Sequence, residues 1–101
     1  MRYTLSEITK GDHVCTAKIT LQDNMVVGEA HVDADVEESQ DVCFVNLNIF
    51  YDPELRNVLD NHPETKQELQ EDLIGILYET IETEKDVIET VVNYPRLKTE
   101  A

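Results

Sequence analysis

The stretch Glu64–Glu89, ETKQELQEDLIGILYETIETEKDVIE, decides how the chain is read. On a helix, at about 100° per residue, Glu64, Glu68, Glu71, Glu79, Glu82, Asp86 and Glu89 fall in one band, broken at Gly75. Leu69, Leu73, Ile76, Leu77, Ile81, Val87, Ile88 and Val91 fall on the other side, as an amphipathic helix on a core requires. Carboxylates at i,i+4 without lysine each cost a few tenths of a kcal/mol, about 0.2–0.5. Such a row serves either solubility or a partner.

The helix has a start signal in His62-Pro63-Glu64, with Thr65 and Glu68 at capping-box spacing, and a stop in Tyr94-Pro95. The expectation is one helix over residues 64–93; Glu84 in the middle of the apolar side and the cap-like Thr83-Glu84-Lys85-Asp86 leave a bend or restart near Thr83 as the alternative. Ahead of it, Asp52-Pro53-Glu54 starts a short helix over 53–60. Residues 96–101 read as a loose tail.

Working further back, period-2 alternation marks strands over 2–8, 13–22, 25–36 and 41–51. Thr9-Lys10-Gly11 reads as a three-residue hairpin loop that sets Tyr3 and Leu5 against Ala17 and Cys15. A tight Asp23-Asn24 turn sets Leu21 opposite Val26, Ile19 opposite Gly28, Ala17 opposite Ala30 and Cys15 opposite Val32. The other face then pairs Lys18 with Glu29 and Thr16 with His31. A loop over 37–40 sets Cys43 against Ala34, Val45 against Val32, Leu47 against Ala30 and Ile49 against Gly28.

The architecture expected is α+β: a four-stranded antiparallel meander, then a short helix and a long C-terminal helix packed on one sheet face. The inner face is small at its middle, which admits a helix closely. One hundred and one residues suit a single domain with one modest core.

Composition narrows the partners. Twenty-two acidic against eight basic residues give a formal charge of −14. Nucleic-acid phosphates and anionic membranes are bound by lysine and arginine, so direct binding to either is not expected. The balance points to a basic protein surface, such as that of a nucleic-acid-handling enzyme or complex. No apolar run approaches the ~20 residues of a membrane span. The opening Met1-Arg2-Tyr3-Thr4 has no secretory apolar core, so a cytoplasmic protein with reduced Cys15 and Cys43 is expected.

Two further surfaces compete with the helical row. The hairpin tip Asp33, Asp35, Glu37, Glu38 and Asp41 is the densest acidic cluster and forms a second patch; it lacks the ligand order of a calcium loop. The outer sheet face carries Met25, Val27, Phe44 and Phe50 among Asn46, Asn48, Thr16 and His31. An apolar surface of that kind suits a homodimer or a binding face, unless residues 53–62 cover it.

Catalytic readings are thin. Glu29, His31, Asp33 and Asp35 alternate on one strand, and a metal-dependent protein would need ligands added from elsewhere, with His13 and His62 not brought near by spacing. Cys15 and Cys43 fall on the inner face, where a thiol behaves as a small hydrophobe, on strands separated by a third and too far apart for a disulfide. Three glycines do not build a phosphate-cradling loop, so no cofactor is expected.

Four meandering strands followed by helices, an acidic balance and Tyr94-Pro95-Arg96-Leu97 resemble the SecB-type export chaperones. That resemblance implies a client-binding oligomer using the outer face. In charge alone the chain is similar to the small acidic inhibitors of phages and mobile elements that mimic DNA. That likeness implies a non-enzymatic inhibitor filling a basic groove through the helical row.

Overall fold

A computed structural model of the protein describes residues 1–23 and 25–95. The order is β1 (Tyr3–Gly11), β2 (Val14–Leu21), β3 (Val26–Glu38), β4 (Val42–Tyr51), α1 (Pro53–Asp60), α2 (Pro63–Tyr78) and β5 (Val87–Asn93). The architecture is α+β, but the sheet has five strands, in the order β1-β2-β3-β4-β5, and it is mixed. The first four strands form the antiparallel meander, and β5 runs parallel to β4. The two helices form the crossover that a parallel neighbour needs.

The long C-terminal helix is the main correction. The helix ends at Tyr78, with Glu79 as its C-cap, and Thr80 closes the last turn through its backbone N–H and its hydroxyl, both donating to the Leu77 carbonyl. Two features work against continuing it. Glu79, Glu82 and Glu84 would sit at or beyond the negative end of the helix dipole. Five of the seven residues in Val87–Asn93 are β-branched, which lowers helix propensity and suits a strand. Neither a continuous helix nor a restart near Thr83 is seen: an extended connection leads into a strand. The tail over 96–101 lies outside the described residues.

The β2–β3 register is the expected one, from Leu21↔Val26 to Cys15↔Val32, with Lys18↔Glu29 and Thr16↔His31 on the other face. The β3–β4 register is shifted by four residues, with Cys43 opposite Glu38, Leu47 opposite Ala34 and Ile49 opposite Val32. Ser39 explains the shift. Its N–H and hydroxyl both donate to the Val42 carbonyl, and its hydroxyl oxygen accepts from the Val42 N–H. The turn closes tightly there, which draws Glu37 and Glu38 into the ladder. The β1–β2 turn also differs. β1 runs to Gly11, Asp12 and His13 make the turn, and a bulge between Ser6 and Thr9 absorbs the extra residue, with Glu7 at φ 49.

The core lies between the inner sheet face and the helices. Cys15, Ala17, Ile19, Leu21, Ala30, Val32, Cys43, Val45, Leu47 and Ile49 meet Leu55 and Leu59 of α1 and Leu69, Leu73 and Leu77 of α2. Each such leucine contributes about 1.5–3 kcal/mol by burial. β4 ends at Tyr51 opposite Ala30, so the start of β3 projects past it and α1 takes over. The Asp52 N–H donates to the Glu29 carbonyl (3.1 Å), and the Asp52 carboxylate accepts from the Glu29 N–H (2.9 Å). Gly28 makes that approach possible: a Cβ there would stand 3.1 Å from the Leu55 Cβ and 3.3 Å from the Asp52 side chain.

Candidate protein-binding site

With the helix ended at Tyr78, the acidic row divides. Glu64, Glu68 and Glu71 remain together on the exposed side of α2, beside Asp72. Gln67 donates to Glu71 (3.4 Å), and the Tyr3 hydroxyl donates to Asp72 (2.5 Å). Burial raises the Tyr3 phenol well above its usual range; the Asp72 hydrogen bond and the charges of Asp72, Glu68 and Glu71 add to the shift. Glu79, at the helix end, is ion-paired with Lys10 of β1.

Glu82 and Asp86 lie in the connection to β5, and Glu89 lies on β5 itself. The parallel pairing carries these three to the hairpin that the sequence offers as a separate patch. Asp41 and Asp86 immediately precede the first β4–β5 pair, Val42↔Val87. Glu89 pairs with Phe44, which pairs in turn with Glu37. The Thr83 hydroxyl donates to Glu38, and the Lys85 ammonium donates to the Gln40 carbonyl (3.3 Å). One corner of the sheet thus gathers Glu37, Glu38, Asp41, Glu82, Glu84, Asp86 and Glu89, with Lys85 the base within these segments.

Asp33 and Asp35 stand further along β3. Asp33 accepts from Asn48 (3.1 Å) and lies 3.5 Å from the His31 imidazole. Asp35 pairs with Asn46, whose side-chain oxygen accepts from Asn93 (2.8 Å). Among the described residues no group of three or more His, Cys, Asp and Glu side chains could hold a metal ion, which leaves the Glu29–His31–Asp33 reading without a ligand set. Cys15 and Cys43 are free and buried on β2 and β4, with β3 between them, and burial pushes the Cys15 thiol up. A thiol so placed is a poor nucleophile.

The apolar outer surface also divides. Val27 lies ten residues along β3 from Glu37, the partner of Phe44, a separation of ~33 Å in an extended strand. Met25, 82% exposed, is at the Val27 end, while Phe50 pairs with His31, their rings 6.0 Å apart. Between Phe50 and Phe44 the face is Asn46, Asn48, Asp33 and Asp35. What Phe44 does adjoin is β5, through Glu89, with Val87 and Val91 on the same face. Sequence reasoning missed these two valines as surface residues by placing them on the buried side of a helix. Their β-branched run was the available signal.

No helix among the described residues is long and apolar enough to cross a membrane. No family model, curated protein or solved structure matches the chain.

Proposed function

We propose that the protein is a non-enzymatic acidic binding domain that occupies a lysine- and arginine-lined groove of a nucleic-acid-handling protein, by presenting charge in place of the nucleic acid. The observation that carries this reading is the corner where the β3–β4 hairpin meets the β5 connection. Seven carboxylates stand there in three segments around one lysine, which is tied to a backbone carbonyl. Glu64, Glu68 and Glu71 form a second, smaller surface on α2. Like charges gathered at one corner of the sheet cost folding energy, which a cationic partner offsets on binding. Association is then fast and weakened by salt. The function resembles, in charge, that of the small acidic inhibitors carried by phages and mobile elements.

The client-binding reading requires a contiguous apolar surface, and Val27 and Met25 stand at the opposite end of the sheet from Phe44. The acidic reading is therefore preferred. It is tested by competition: a labelled DNA duplex is bound to members of a panel of lysine- and arginine-rich DNA-binding proteins and titrated with the chain. Displacement is expected at low salt, lost at high salt and lost on converting Glu37, Glu82, Asp86 and Glu89 to lysine. Competition by that variant as strong as the wild type's refutes the proposal.

A further inference from the structure

The two edges of the sheet are not alike. β1 carries a bulge, a residue at positive φ (Glu7) and Lys10, devices that keep a strand edge from pairing with another chain. β5 carries none of these. All seven of its residues pair in regular register with β4, and none is lysine, proline or glycine. It is also apolar on both sides, as a central strand is. Val87 and Val91, 49% and 60% exposed, lie on the outer face with Phe44, and Ile88, 40% exposed, lies on the inner face.

We propose that two copies of the chain join edge to edge through β5, antiparallel and centred on Thr90, into one continuous ten-stranded sheet. Register and charge select this occupant. For both copies to keep their helices on the same face, each residue must meet one of the same face, so the two-fold axis passes through a residue. Centred on Glu89, the strands set carboxylate against carboxylate; centred on Val91, they overlap over only five residues, 89–93. Centred on Thr90, all seven pair: Val87 with Asn93, Ile88 with Val92 and Glu89 with Val91.

Once both β5 edges are used, the edges left are the two bulged β1 strands, so assembly stops at two copies. Because each copy carries a formal −14, salt strengthens this contact, whereas it weakens binding to a basic partner. The dimer stands independently of the proposed partner.

Sedimentation of the full chain, from micromolar to hundreds of micromolar and at low and high salt, tests it. A species of twice 11.6 kDa is expected, more populated at high salt. Val91→Glu, at an exposed position, sets a carboxylate against Glu89 of the other copy on both sides of the axis and should return the mass to one copy with unchanged circular dichroism. Thr90→Cys places two thiols across the axis. Oxidised glutathione should link them into a covalent dimer, the oxidant being reduced as the disulfide forms. Three results overturn the proposal: a single-copy mass under every condition, a dimer that survives Val91→Glu, or a doubled mass with no Thr90→Cys cross-link.

Discussion

Asp86→Asn separates the cost of the acidic corner from its use. Asp86 and Asp41 each immediately precede a member of the Val42↔Val87 pair, at the entry to neighbouring strands ~4.8 Å apart. With the carboxylates swung to ~6 Å, two unit charges in water repel by about 0.7 kcal/mol. At 0.1 M salt, where the Debye length is ~10 Å, about 0.4 kcal/mol remains, and at 1 M about 0.1. Glu38, Glu82 and Glu84 add smaller amounts of the same sign. Removing the Asp86 charge should therefore stabilise the free protein by ~0.5 kcal/mol at low salt, a rise in Tm of ~2–4 °C for a domain of this size. The gain should fade as salt is added. The same substitution should weaken binding to a basic partner by about threefold, equal to ~0.7 kcal/mol. Thermal unfolding across a salt series measures the first effect and partner titration the second. A variant no more stable than wild type at low salt, or a gain that salt leaves unchanged, refutes the reasoning.

Other perturbations test the scaffold. Gly28→Val puts a branched side chain against Leu55 and Asp52, where even a Cβ would stand at 3.1–3.3 Å; a loss of about 1–3 kcal/mol is expected by urea unfolding. Glu7→Gly relieves a positive φ that costs about 1–2 kcal/mol in a residue with a side chain, and gives back part of it in glycine entropy and in the exposed pair with Lys18. A net gain of ~0.5 kcal/mol is expected, and a loss would mean that the bulge does not need the left-handed residue. Alkaline titration follows from Tyr3, Tyr51 and Tyr94, whose phenols are all raised, chiefly by burial. The unfolded chain ionises near the usual ~10 while the folded one stays neutral, so this stability is complete below pH ~10 and is lost as pH rises through the folded values. Tm followed by phenolate absorbance should fall from there, less steeply in Tyr51→Phe; a flat profile to pH ~12 would contradict the tyrosine assignment.

The β2–β3 register was legible because face alternation and the spacing between Leu21 and Val26 both constrain it; Asn24 of the expected turn lies outside the described residues. The faces of β4 were legible but not its partners. A slide by four residues leaves every side chain on the same face, so the alternation cannot detect it, and the deciding group was the Ser39 hydroxyl in the turn. The segment after Tyr78 failed for a related reason. Ile81, Val87, Ile88 and Val91 fit a helical stripe, while Val87–Val92 fits a strand that is apolar on both sides just as well. Periodicity ranks positions on an assumed element; it does not choose the element, and β-branching with acids at the helix end chose the strand.

That single change rearranges the candidate site more than the fold. The acids of the row remain exposed, but their neighbours are set by the β4–β5 ladder, a pairing across more than forty residues that no local pattern encodes. Glu82, Asp86 and Glu89 leave Glu64, Glu68 and Glu71 and join Glu37, Glu38 and Asp41. Five of the six lysines and arginines among the described residues, meanwhile, are engaged within the fold. Lys10 ties β1 to the end of α2, Lys18 pairs with Glu7, and Lys66 and Arg56 converge on Asp60, with Arg56 also donating to the Tyr94 and Pro95 carbonyls. Lys85 fastens the connection to the hairpin. Apart from Lys85, these bases join elements away from the corner. The corner's carboxylates therefore outnumber the bases beside them, and under the proposed function a cationic surface supplied from outside balances them.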